Sequence, residues 1–251
     1  RRVPTEEISR RARLFDWLPL REVERRGWIN APSSKLEELE QAACAFLGVS
    51  EVGQEPELVV SLRHSLRNEA ERSSQRAWVR RVEQLAAMQE VGQYAQERLR
   101  DSIPRIVAEA RTADGAGRVP AMLGELGVRF VVVPHLPRTK LDGAAAFTRS
   151  GPVVALTMRF DRIDYFWFTL LHELAHLVLE HRGGHLDGET EADVVDAEEA
   201  EANQLAGGWL LSDTEVRRFA ARFPCIPPKS ALETFAQEHG VHPGIVAGRL
   251  Q

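Results

Sequence analysis

Two histidines with a glutamate beside the first form the chain's clearest chemical pattern: His172, Glu173 and His176 in the run HELAH. Residues four apart on an α-helix project from the same face, so both imidazoles can bind one metal ion. The surrounding stretch 163–180 is apolar on nearly every side and predicts a buried helix, where unpaired polar side chains are costly. The pattern predicts a zinc site in which Glu173 accepts a proton from water without binding the ion.

A zinc ion used in catalysis needs a third protein ligand and an open coordination position. Metallopeptidases whose third ligand is a histidine require glycine and histidine where this chain has Leu179 and Arg182, which excludes that pattern. A glutamate on a later helix is the alternative source of the third ligand.

The helical stretch 197–211 supplies such a glutamate. At about 100° per residue, Glu199 lies on one stripe with small and apolar residues, and we predict it as the third ligand. Glu198, at the margin of the buried arc, is the alternative, whereas Glu201 points to the opposite, solvated face. Asn203, one turn after Glu199, either orients a ligand or forms a hydrogen bond between helices.

Several other polar residues near the motif are weaker candidates. We expect His181 and His185 to lie at the surface, beside a glycine turn, and Glu180 to be solvated although it follows His176 by one turn. His135 is a candidate for lining the cleft. Tyr165 is a candidate for stabilising an oxyanion, since it opens the helix that carries the motif.

Residues 1–112 are predicted to be almost wholly helical, because apolar residues recur at helical spacing. Three helices are predicted there, at residues 36–47, 57–95 and 96–111. Ser33 and Ser34 are candidate N-caps of the first, with Glu37 in the capping-box position. The small polar stretch 112–117 predicts a linker. We therefore predict a helical interaction or regulatory region at 1–112 and a second domain at 113–251.

The second domain is predicted to contain a helix, three short strands and then the motif helix. These elements are expected at residues 119–126, 128–133, 144–148, 153–158 and 163–180. The strand at 153–158 is expected to be exposed and able to pair with an extended peptide. Residues 235–250 have the spacing of a helix-turn-helix, but few basic residues follow the turn, which favours a plain helical hairpin. The fold class is α+β: a helical N-terminal region followed by a small domain with a short mixed β-sheet.

Composition limits the classes of partner and compartment. The formal charge is −5, made up of +1 in residues 1–112 and −6 in residues 113–251, and an acidic domain is a poor non-specific binder of nucleic acid. Only two cysteines occur, which does not support a disulfide framework. Neither a signal peptide nor an apolar run long enough to span a membrane is evident. We predict a cytoplasmic protein with no membrane association.

In combination, these residues resemble the ImmA/IrrE family of zinc metallo-endopeptidases. The similarity covers roughly residues 119–211 and rests on the HExxH run and on short matching segments, namely Gly127-Val128, Leu141-Asp142-Gly143, residues 152–156, residues 166–169 and Glu199 with Ala202-Asn203 and Ala206. The family often has a histidine one turn after the second ligand, where this chain has Glu180. The resemblance implies a zincin-like, gluzincin-type peptidase domain.

The resemblance also implies an activity and partners. Such an enzyme would cleave a cytoplasmic protein, for example a DNA-binding transcriptional repressor, with Zn²⁺ on His172, His176 and Glu199 and with Glu173 as general base. The helical front half resembles the middle region of XRE-type regulators, including HigA-like antitoxins, which suggests a toxin partner and DNA binding only through a missing N-terminal segment. The alternative is an antitoxin or transcription regulator in which this domain is a non-catalytic sensor or scaffold.

Overall fold

The computed structural model describes residues 5–31, 35–58, 69–139, 141–181, 191–223 and 225–250, without the side chains of residues 69–70 and 191–196. The chain divides into two compact units. Unit 1 consists of residues 1–88 and 133–141, and unit 2 consists of residues 89–132 and 142–251. Among the described residues, no helix combines the length and apolarity that crossing a bilayer requires.

The described part of unit 1 contains four helices: α1 (Thr5–Trp17), α2 (Leu20–Arg25), α3 (Leu36–Leu47) and α4 (Glu69–Ala87). The predicted helix at 36–47 is confirmed, with its apolar residues buried. Its N-cap is Lys35, without a side-chain hydrogen bond, and Ser33 and Ser34 lie outside the described residues. The helix predicted at 57–95 is too long, because α4 ends at Ala87 and residues 89–95 are not helical.

Two tryptophans anchor the core of unit 1. Trp78 is fully buried, and its indole nitrogen donates to the carbonyl oxygen of Val133 at 2.8 Å. Trp17 is 4% exposed, and its carbonyl oxygen accepts from Arg76 Nη1 at 2.7 Å. These bonds connect helices α1 and α4 with the segment 133–141, which explains why that segment packs with residues far from it in sequence.

Unit 2 contains seven helices, three strands and two short 3₁₀ turns within the described residues. The elements are α5 (Gln96–Ala108), α6 (Val119–Glu125), β1 (Arg129–Val132), β2 (Gly143–Thr148), β3 (Gly151–Leu156), α7 (Ile163–Val178), α8 (Glu191–Leu210), α9 (Asp213–Ala220), α10 (Lys229–His239) and α11 (Pro243–Arg249). The predicted fold class, a helical region followed by a small α+β domain, is confirmed.

The stretch predicted to be a linker is ordered into the 3₁₀ turns Glu109–Arg111 and Ala113–Arg118. Glu109 accepts a hydrogen bond from Arg118 Nε at 2.6 Å, which closes the second turn over the first. Helix α5 also packs against α7 and α8. By packing, residues 89–118 therefore belong to unit 2. The functional division at 112/113 stays a prediction.

The sheet is mixed, with strand order β1-β3-β2. Strand β3 runs parallel to β1 and antiparallel to β2. It is thus the central strand, with five of its six residues buried. The prediction that 153–158 is an exposed strand available to a peptide is wrong, because both of its hydrogen-bonding edges are used. Strand β2 lies at an edge of the sheet.

The C-terminal helices form a hairpin that packs onto α7. Ile245 and Val246 of α11 are fully buried in the same apolar core as Trp167 and Leu170 of α7. Where α11 crosses α7, Gly248 lies so close to Asp164 that a side chain would collide with the carboxylate. The face of α11 is therefore used for packing, which agrees with a helical hairpin rather than a DNA-reading helix.

Candidate metal centre

Helix α7 carries the motif, and its apolar residues bind it into the core of unit 2. The helix runs between the sheet and α8, packing against β2, β3 and α8. Trp167, Leu170 and Leu171 are fully buried, so the orientation of the helix about its own axis is determined by the core. That orientation leaves the His172 and His176 side chains on the face that meets α8.

Helix α8 places Glu199 opposite the two histidines, as predicted. The Nε2 atoms of His172 and His176 are 3.1 Å apart. Glu199 completes a triangle, with Oε2 at 3.2 Å from His172 Nε2 and Oε1 at 3.3 Å from His176 Nε2. Ala202 and Ala206, which are fully buried, allow the two helices to approach closely enough for these contacts.

The triangle has the dimensions of a zinc site. Ligand atoms about 2.0–2.1 Å from a tetrahedral ion lie about 3.3 Å from each other, which matches the observed separations. Two imidazole nitrogens and a carboxylate are also the donors that zinc prefers at catalytic sites. These three residues form the group that could hold a metal ion among the described residues.

Glu199 and His172 change each other's pKa values. Burial raises the pKa of Glu199, but hydrogen bonds and charge interactions with His172 and His176 outweigh it and hold the pKa well below its usual range. Burial lowers the pKa of His172, but Glu199 and Glu173 outweigh it, with a smaller influence of Asn203, and the pKa is raised. The carboxylate is thus ionised, and the pocket favours positive charge.

Glu173 is buried beside the triangle, next to the start of β2. It is 6% exposed. A Cβ atom on Gly143 would lie 2.7 Å from Glu173 Oε1 and 3.0 Å from Thr169 Cγ2, so the glycine leaves the space that the carboxylate occupies. The sequence predicts Glu173 as the base, which stays a prediction, but the contact with Gly143 depends on how β2 packs against α7 and has no local sequence signal.

The prediction that His181 lies at the surface is wrong. It is 9% exposed, and its Nδ1 lies 3.0 Å from His176 Nδ1. Its Nε2 lies 3.2 Å from Glu201 Oε2. Glu201 is largely solvated, as predicted, but its contact with His181 was missed because His181 was assigned to a surface turn.

The remaining candidates are not part of the triangle. Glu198 and Asn203 flank Glu199 on α8 and are half-buried and exposed, respectively. Tyr165 lies about 10 Å from His172 along the axis of α7, and its ring contacts Phe160 with centroids 4.3 Å apart. Glu180 is exposed, His135 is exposed in unit 1, and His185 lies outside the described residues.

Comparison with known families identifies the segment that contains this site. Residues 132–251 match the model of the peptidase M78 family, which is described as the IrrE N-terminal-like domain. The match includes α7, α8 and the whole triangle, and it agrees with the resemblance found in the sequence. None of the curated proteins compared with the chain gives a significant match. Residues 132–251 of this chain are an IrrE N-terminal-like domain of the peptidase M78 family, a family of generally metal-dependent peptidases.

Proposed function

We propose that the chain is a zinc-dependent endopeptidase that acts on a cytoplasmic protein, such as a transcriptional repressor. His172, His176 and Glu199 would bind the ion, and Glu173 would be the general base. The observation that carries the proposal is the triangle of three ligand atoms, with separations of 3.1, 3.2 and 3.3 Å, in a domain of a peptidase family. Surface ion pairs rarely bring three such side chains together.

In this proposal, the zinc ion and Glu173 have different chemical roles. A zinc ion at this site would supply Lewis-acid chemistry, polarising a peptide carbonyl and making a water molecule more acidic. Glu173 is placed to accept a proton from that water and to pass it to the leaving amine, which is general acid–base catalysis. Its burial beside His172 supports this role, because a general base has to lie within reach of the water from which it takes the proton.

The edge of β2 is the surface that suits an extended substrate. The N–H of Thr157 donates to the carbonyl oxygen of Asp142 at 2.9 Å, which makes these two residues a hydrogen-bonded pair. From there, non-hydrogen-bonded and hydrogen-bonded pairs alternate along the antiparallel strands β2 and β3. The N–H and C=O groups of Gly143 and Ala145 consequently point away from β3. A peptide paired there would run past Gly143 and hence past Glu173, which contacts that glycine.

A second candidate function is regulation without cleavage, in which the domain acts as a sensor or scaffold of an antitoxin or transcription regulator. Unit 1 favours it, because it is a separate compact core whose described helices all lie outside the matched segment 132–251, which contributes only residues 133–141 to that core. Catalysis at the triangle has no evident need of that core. A toxin or a repressor would then be a binding partner rather than a substrate.

Two substitutions separate these functions. Wild-type protein, Glu173→Gln and Glu199→Ala are purified, analysed for zinc and incubated with a proteome of the cells that encode the chain. New protein N-termini are then quantified by mass spectrometry. We expect about one zinc per chain in the wild type and in Glu173→Gln, and a large loss of zinc in Glu199→Ala. Cleavage should occur with the wild type alone, since removing a general base typically costs about 10²–10⁴-fold in rate.

Glu198→Gln is the matched control, because it changes a neighbouring carboxylate on the same helix and should retain both zinc and cleavage. Wild-type protein without zinc would overturn the proposal. Zinc binding with the same N-termini in wild type and Glu173→Gln would favour the regulatory candidate.

A further inference from the structure

His176 has two ring nitrogens, and only one of them faces the triangle. Its Nε2 lies near His172 and Glu199, whereas its Nδ1 lies 3.0 Å from the Nδ1 of His181. The other nitrogen of His181, Nε2, lies 3.2 Å from Glu201 Oε2. A line of two hydrogen bonds therefore runs from the back of His176 to a carboxylate whose side chain is 60% exposed.

A single assignment of protons satisfies this whole line. For His176 Nε2 to bind a metal ion, its ring proton must be on Nδ1. That N–H then donates to His181 Nδ1, which must be unprotonated to accept. The proton of His181 is consequently on Nε2, where it donates to the Glu201 carboxylate. Each donor meets an acceptor without any group changing its charge.

We propose that His181 and Glu201 are positioning residues, which hold His176 in the tautomer and ring orientation that metal binding requires. The inference rests on the proposed metal site. Histidines that bind metals commonly donate their second N–H to such a partner, which fixes the ring and makes the ligand more basic. Here the partner is itself a histidine, held by a carboxylate from the next helix.

The end of α7 brings His181 to this place. The N–H of His181 donates to the carbonyl of His176 at 3.0 Å, and the N–H of Glu180 donates to the carbonyl of Leu177 at 3.3 Å. These two bonds form the Schellman motif that ends many helices. The motif requires a left-handed residue, and Glu180 has φ of 54°. His181 is thus linked to His176 twice, by this main-chain hydrogen bond and by the contact between their Nδ1 atoms.

The cost of this turn supports a specific role for it. A non-glycine residue in the left-handed region is less stable than glycine, because its Cβ atom lies too close to the following carbonyl oxygen. The helix nevertheless ends at Val178, and the left-handed residue that follows its C-cap is Glu180, although Gly183 and Gly184 come only a few residues later in the sequence. If one of these glycines took the left-handed position instead, α7 would continue through His181. The hydrogen bond from the His181 N–H to the His176 carbonyl, which brings the ring of His181 to that of His176, would then be lost.

The test is the affinity of the purified chain for zinc alone, measured by competition with a chelator. His181→Ala should bind zinc about 10–100-fold more weakly than the wild type, the usual effect of losing such a partner. Nitrogen-15 NMR of the histidine rings in the zinc-loaded protein provides a second readout. The Nδ1–H of His176 should exchange with water faster in His181→Ala than in the wild type.

His239→Ala is the matched control, because His239 also pairs with a glutamate, Glu215, at 3.5 Å but takes no part in the triangle. Its zinc affinity should equal that of the wild type. If His181→Ala does not fold, Glu201→Ala and Glu201→Gln decide the question, since the glutamine oxygen can still accept from His181. Weaker zinc binding by the alanine variant than by the glutamine variant supports the inference.

Equal zinc affinities of wild type and His181→Ala, or of the two Glu201 variants, would overturn the positioning role and leave the proposed function intact. A wild-type chain that does not bind zinc would overturn both.

Discussion

Gly143 packs closely against Glu173, the proposed general base. Its missing side chain leaves room for Glu173, because a Cβ atom there would approach Oε1 to 2.7 Å and Cγ to 3.0 Å. The Glu173 side chain cannot move away easily, because it is buried and α7 is packed into the apolar core. The position of the base thus depends on a glycine in another element.

We expect Gly143→Ala to slow peptide cleavage by about 10²-fold, the effect that a displacement of about 1 Å can have on a catalytic group. Zinc affinity should not change, because the ligands are not contacted. The comparison is Gly208→Ala, on the exposed side of α8 with no atom near the added methyl group, which should cleave like the wild type. Undiminished turnover by Gly143→Ala would show that Glu173 is not held as described.

Zinc binding should weaken as the pH falls. Bound imidazole is neutral, and the pKa of His172 is raised by Glu199 and Glu173 above its ordinary value of 6.5. The zinc-free protein therefore keeps a proton at His172 up to a higher pH than an isolated histidine does, and zinc must displace that proton. The affinity for zinc should consequently increase with pH, and its loss on acidification should begin at a higher pH than for an isolated histidine. Titrations with zinc between about pH 5.5 and 8 in buffers of different ionisation enthalpy measure this proton release. Affinity that is constant over the interval would contradict it.

At the residue level, the sequence was sufficient where a regular helix relates the residues. His172, Glu173 and His176 follow from one helical turn, and Glu199 follows from a stripe on a second helix. His181 did not follow, because its position depends on where α7 ends. Its contact requires the left-handed conformation of Glu180, and a glutamate gives no sequence signal for that conformation.

Among the secondary-structure elements, β2 gives a testable prediction about substrate binding at its edge. The N–H of Ala145 points away from β3, so Ala145→Pro removes a donor from the free edge and leaves the pairing with β3 intact. We expect cleavage of a protein substrate to slow by about 10-fold, the value of one hydrogen bond, with the melting temperature little changed. Ala146→Pro, which removes a donor to β3, should instead lower the melting temperature. Normal cleavage by a folded Ala145→Pro protein would exclude β2 as the substrate-binding edge.

The existence of the strands could be predicted from the sequence, but their order could not. Short apolar runs bounded by glycine and proline indicated strands at 128–133, 144–148 and 153–158, close to the observed limits. The parallel pairing of β1 with β3 is a long-range contact without a local signature. For that reason, the strand expected to be exposed proved to be the central one.

At the scale of the whole molecule, packing and function divide the chain differently. The matched domain begins at residue 132, whereas residues 89–132 pack in the same unit as α7 and α8, and residues 133–141 pack in unit 1. A composition change at 112–117 suggested a linker, but small polar residues also suit the tight 3₁₀ turns that are present there. The sequence therefore predicted the class of fold correctly, whereas the stretch that suggested a linker folds into 3₁₀ turns.

The proposed function requires one metal ion bound between helices α7 and α8. Crystals of the full chain grown with zinc and measured on both sides of the zinc absorption edge test it most directly. We expect an anomalous peak about 2.0–2.2 Å from the Nε2 atoms of His172 and His176 and from a carboxylate oxygen of Glu199. A peak at other residues, or bound zinc with Glu199 turned away from both histidines, would contradict it.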